Sequence, residues 1–86
     1  MITFSKVFDS YPNHRLVGIE SVYHPGSGWT DYATLANLFD EWPTHNQFLC
    51  SCHQRGATHV QLIIQDNNSK AIRWTDFSLV ELGLPA

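Results

Sequence analysis

THVQLIIQDNNSKAIRWTDF, residues 58–77, decides the architecture. Val60, Leu62 and Ile64 recur at every second position, the period of a strand with one buried face. DNNS at 66–69 is built from turn-forming residues, and KAIRWTDF at 70–77 reads as the return strand. The pattern predicts a C-terminal β-hairpin in which Ile72 and Trp74 face Val60, Leu62 and Ile64, which puts Trp74 in the core.

Helical spacing replaces this alternation on the N-terminal side. In HNQFLCSCHQR, residues 45–55, Phe48, Leu49 and Cys52 share one face with His45 a turn earlier. Thr44 is the expected N-cap and Gly56 the stop. Pro43 ends the preceding helix, because its ring disfavours a helical conformation at Trp42. That helix is carried by WTDYATLANLFDEW, 29–42, where Tyr32, Leu35, Leu38, Phe39 and Trp42 recur at intervals of three and four. Thr30 or Asp31 is placed to cap it, with Trp29 as an apolar staple. Asp40 and Glu41 set negative charge at the C-terminal turn, where the helix dipole opposes it, so they either cap something else or are kept for a partner.

Further upstream, ITFSKVF at 2–8 places Ile2, Phe4 and Phe8 on one face of a predicted strand, DSYPNH at 9–14 is a turn, and RLVGIESVYH at 15–24 is a second strand. Gly18 inside the second strand marks a bulge or a close approach. HPGSG at 24–28 is a loop by composition, and SLVELGLPA at 78–86 fits a last helical turn or a short edge strand equally well. The expected fold class is therefore α+β: a single compact domain over 1–86, with an N-terminal β-hairpin, two short helices joined by a Pro-containing turn, and a C-terminal β-hairpin, in the order β-β-α-α-β-β. A Trp-Thr-Asp triplet followed by an aromatic residue occurs twice, as WTDY at 29–32 and WTDF at 74–77. So short a match argues against a duplicated unit and for a repeated local device, a Trp beside a capping Thr-Asp.

Composition narrows the functions open to such a chain. Its 86 residues suffice for one core and not for two. With 43% apolar and 15% charged residues it lies on the folded side of the boundary with disorder. Five Lys and Arg against eight Asp and Glu give a net charge of −3, and the basic residues form no cluster that would neutralise a row of phosphates, which disfavours nucleic acid. No window approaches the roughly 18 apolar residues of a membrane span, and MITFSKVF lacks the charged lead and apolar run of a secretion signal. Two cysteines are too few for a disulfide framework. Together these features predict a cytoplasmic protein.

FLCSCHQRGATH, 48–59, gathers two Cys and two His, the residues of metal and thiol chemistry. Zinc sites pair cysteines at C-x2-4-C, whereas the spacing here is C-x-C, and on a helix Cys50 and Cys52 diverge by about 200°. Cys50, His53 and His59 make an incomplete ligand set, and no third residue is in place to orient a Cys50–His53 nucleophile. No phosphate-cradling loop, carboxylate pair or catalytic triad is present, so neither an enzyme nor a bound cofactor or metal is expected.

What remains is a small acidic protein-binding module, an inhibitor or adaptor that occupies a site on another protein with a basic surface. Tyr11, Trp29, Asp31, Asp40, Glu41 and Trp42 are the expected contact residues, with rings supplying buried area and carboxylates meeting a basic rim. A homodimer through a hairpin edge strand is compatible with the same pattern. The alternative is a winged helix-turn-helix regulator that reads DNA through residues 44–55, although that helix offers only Arg55 as a full positive charge.

Overall fold

In a computed structural model that describes residues 2–37 and 44–86, the chain forms a four-stranded antiparallel sheet with three short helices. In chain order these are α1 (Ser5–Ser10), β1 (His14–His24), β2 (Gly28–Asp31), α2 (Tyr32–Ala36), α3 (His45–Gln54), β3 (His59–Asp66) and β4 (Ile72–Ser78). The spatial strand order is β2-β1-β3-β4, so β1 and β3 are central and the short β2 and the longer β4 are the edges. This is the expected α+β class, and after the additional α1 the order β1-β2-α2-α3-β3-β4 roughly matches the expected one.

Both hairpins exist, but the N-terminal one is drawn from other residues than the alternation suggested. Residues 5–10 are helical, and β1 pairs instead with β2 across the HPGSG turn. The reason lies in side-chain spacing: Phe4, Val7 and Tyr11 recur at three and four, and Val7 is fully buried while Phe8 turns outward. The turn itself follows from Pro-Gly chemistry. Ser27 N donates to His24 O at 3.0 Å around Pro25 and Gly26, and Gly26 at φ +89° takes the left-handed conformation that such a turn requires at its third residue. Gly18 accompanies a register shift in β1, the bulge expected of it, and a second shift falls between Ile19 and Ser21.

The helical segments stop where their end residues direct. Asp31 caps α2, accepting from Thr34 N, and Trp29 lies in β2 rather than acting as a staple. Pro43, Leu38 and Phe39 lie outside the described residues. Thr44 and Gln47 form a reciprocal capping box at the start of α3. At its end Gly56, at φ +97°, lets Gly56 N reach His53 O and Ala57 N reach Cys52 O, both at 3.0 Å, with Ala57 and Cys52 both buried. The tail is a helical turn rather than a strand. Ser78 and Glu81 exchange side-chain to backbone bonds, and Gly83 N and Leu84 N close back on Val80 O and Leu79 O.

The core lies on one side of the sheet. Ile19 and Val22 of β1, Val60, Leu62 and Ile64 of β3, and Thr75 and Phe77 of β4 project toward Phe48, Leu49 and Cys52 of α3, Val7 of α1, and Leu79, Leu82 and Leu84 of the tail. Thr3 N donates to Leu82 O, which ties the two ends of the chain together.

Candidate binding face

Strand register determines what the other side of the sheet carries. Val60 pairs with Phe77 and Leu62 with Thr75, so these lie inward. Ile63 pairs with Trp74, Gln61 with Asp76 and Gln65 with Ile72, and all of these point away from the core. The expected pairing of Ile72 and Trp74 with Val60, Leu62 and Ile64 is therefore wrong by one residue. Trp74 is 57% exposed and Ile72 43% exposed. Periodicity in 70–77 admits either phase, and the inward places go to Thr75 and Phe77 because the 66–71 turn sets the register.

On β1 and β2 the outward set is Arg15, Ser21, Tyr23, Trp29 and Asp31, with the bulge residues Val17 and Glu20 exposed beside them. None of these side chains is buried. The face is thus an open sheet surface ordered in rows. One row runs Trp29–Tyr23–His59, with ring centroids 5.4 and 6.1 Å apart. The next runs Asp31–Ser21–Gln61–Asp76, and beyond it Gly18, Ile63 and Trp74 align. A Cβ on Gly18 would meet nothing within 4 Å, so the space above Gly18, across from Ile63, is open.

The charges on this face are mainly negative. Arg15 donates from Nε to Gln65 Oε1 at 2.9 Å and again from Nη2, which holds its guanidinium against the sheet. Asp31 accepts from Thr34 Oγ1 at 2.7 Å and from Thr34 N at 3.3 Å, and these two bonds hold its carboxyl below the usual carboxylate range. Asp76 is exposed, and its carboxylate makes no hydrogen bond or ion pair among the described residues. Exposed aromatic rings thus stand beside carboxylates on the open side of the sheet.

The expected contact residues are divided by the fold. Trp29, 47% exposed, and Asp31 lie on the open face. Tyr11 does not join them: its hydroxyl accepts from Thr75 Oγ1 at 3.1 Å, and Thr75 points into the core, so Tyr11 is on the helical side. Asp40, Glu41 and Trp42 lie outside the described residues. Trp74, Ile72, Ile63, Tyr23 and Asp76 share the open face although the sequence reading did not place them there, and the second Trp-Thr-Asp triplet was a signal that could have done so.

The Cys and His residues of 48–59 go separate ways. Cys52 is buried, and burial pushes its thiol up to about 11 against a smaller opposing influence of Arg55, so it stays protonated and unreactive. His53 Nε2 lies 2.7 Å from Pro85 O, and His59 Nδ1 lies 2.9 Å from Thr58 Oγ1. Among the described residues no three His, Cys, Asp or Glu side chains converge as a metal site requires. Beside His53 an apolar cleft of about 270 Å³ runs between Ala57, Leu79, Val80 and Pro85.

Fold and face together define a small α+β domain with helices on one side of an antiparallel sheet and an aromatic, acidic surface on the other. Comparison with protein-family models, curated proteins and solved structures gives no match. No helix among the described residues is long and apolar enough to cross a membrane.

Proposed function

We propose that this protein is a non-enzymatic binding module, an inhibitor or adaptor that occupies a basic site on another protein through the open face of its sheet. The observation that carries the reading is the exposure of Trp29 and Trp74 on the face opposite the core. Tryptophan left in water on a rigid strand loses little conformational freedom on binding and supplies a large contact area, which is why it dominates the energetics of interfaces. The net charge of −3 and the carboxylates of Glu20, Asp31 and Asp76 match a basic partner and disfavour a polyanion. Cys50 and Cys52, both free, suit a reducing cytoplasmic setting.

The test compares immobilised full-length baits. Wild type and a Phe8→Ala control, altered on the helical side, should retain the same protein from a lysate of the native host, and Trp29→Ala and Trp74→Ala should each retain much less. Equal retention by all four baits removes the open face as the contact. A salt titration of duplex DNA binding checks the regulator alternative, since tight binding with a steep negative slope against salt would put DNA first.

A further inference from the structure

The two Trp-Thr-Asp triplets occupy equivalent places at opposite edges of the sheet. Trp29-Thr30-Asp31 lies in β2 and Trp74-Thr75-Asp76 in β4, and in each the Trp and Asp project onto the open face while the Thr points inward. Asp31 and Asp76 end the same row, on either side of Ser21 and Gln61. Because β2 and β4 run antiparallel, the triplets are related by an approximate two-fold axis through the centre of that row. Capping does not explain the repeat, for Asp31 caps α2 whereas Asp76 sits within a strand.

We propose that each triplet is a seat for one arginine side chain of the partner, the indole taking the guanidinium plane and the carboxylate two residues on pairing with its N–H edge. This rests on the binding-module reading and names the chemistry of its partner: a protein segment carrying two arginines. Trp and Asp two residues apart on one strand face stand about 7 Å apart, a separation that lets one guanidinium reach both. Arginine suits the seat better than lysine because it is planar, stacks on rings and donates in a fork. Across three strand spacings the two carboxylates are about 14 Å apart, the distance between side chains four residues apart on one face of an extended chain. Complementarity of charge selects this occupant over a second copy of the chain, which would bring Asp31 and Asp76 against their own equivalents.

The experiment titrates full-length protein into fluorescein-labelled peptides of otherwise neutral sequence, with two arginines four residues apart, two lysines at the same places, or two glutamates, and into labelled oligo-dT. The arginine peptide should bind about fivefold or more tighter than the lysine peptide, and the glutamate peptide should not bind. Trp29→Ala and Trp74→Ala should each weaken the arginine peptide by about twofold to fivefold. Asp76→Asn should weaken it too and flatten its salt dependence. Asp31→Asn keeps a helix-capping side chain and should do the same with the fold intact by circular dichroism. Equal binding of the arginine and lysine peptides, or indifference to both Trp variants, overturns the proposal. So does oligo-dT binding tighter than arginine, or Trp-dependent self-association in sedimentation, which assigns the face to a second copy. If partner retention depends on Trp29 and Trp74 while the arginine peptide fails, the binding module stands and the arginine seats fall.

Discussion

Asp66 and Cys52 show how the backbone sets the chemistry of single side chains. Asp66 Oδ1 accepts from Ser69 N at 3.0 Å and Asn68 N at 2.8 Å, and these bonds to the ionised form, in that order of weight, hold its carboxyl below the usual range. A lowered folded-state value means that the carboxylate stabilises the fold above the ordinary carboxylate range, and that this contribution is lost as pH falls through the folded value. Asp66→Ala should therefore lower the urea midpoint near neutrality, and its deficit relative to wild type should close on acidification; a deficit independent of pH would detach Asp66 from the turn. The nearby His14 Nδ1 lies 2.8 Å from Pro12 O, and its Nε2 lies 3.8 Å from Asp66 Oδ2. Cys52, with its thiol raised to about 11 and its side chain buried, should resist a thiol reagent in native protein, leaving the half-buried Cys50 as the residue modified. Mass mapping after brief labelling checks this, and rapid modification of Cys52 would contradict its burial. Helical phase in FLCSCHQR already separates the two cysteines, since Cys52 shares the face of Phe48 and Leu49 and Cys50 does not, and the fold buries Cys52 accordingly.

Among the elements, α3 is the one most completely written in local sequence. Its capping box, its apolar positions at 48, 49 and 52 and its glycine stop are all local devices, and all of them operate in the fold. Thr44→Ala should cost about 1 kcal/mol by leaving Gln47 N without its acceptor. Gly56→Ala should cost about 1 to 2 kcal/mol through the left-handed conformation, although the space around it is open. Urea unfolding of both variants measures these losses, and an unchanged midpoint for Gly56→Ala would refute the left-handed stop. The N-terminal segment was misread because seven residues support two periods at once. Whether Phe4 pairs with Val7 and Tyr11 or with Phe8 depends on which side has a core to offer, and that is a tertiary matter. Likewise β4 has two valid phases, since Ile72 and Trp74 on one side and Thr75 and Phe77 on the other are both suited to strands.

For the whole molecule, the division into a core side and an open side sets the expected effects of substitution. Phe48 is fully buried, and its ring lies 4.6 Å from that of Tyr32. Phe48→Ala should cost about 3 to 5 kcal/mol and lower the melting temperature sharply, while Trp74→Ala should change stability by no more than about 0.5 kcal/mol. Thermal melts of the pair test the assignment of faces, and a large loss at Trp74 would place it in a core. By itself the sequence determined the α+β class, the C-terminal hairpin and two capped helical segments, because turns, caps and periodicity act over a few residues and need no distant partner. It also determined the acidic balance and the aromatic content on which the proposed binding role rests. Only the tertiary structure decided which tryptophans meet water, that Tyr11 belongs to the helical side, and that the two Trp-Thr-Asp triplets face the same way at opposite edges. Those outcomes depend on strand register and on which face of the sheet the helices cover, and contacts between residues far apart in the chain set both.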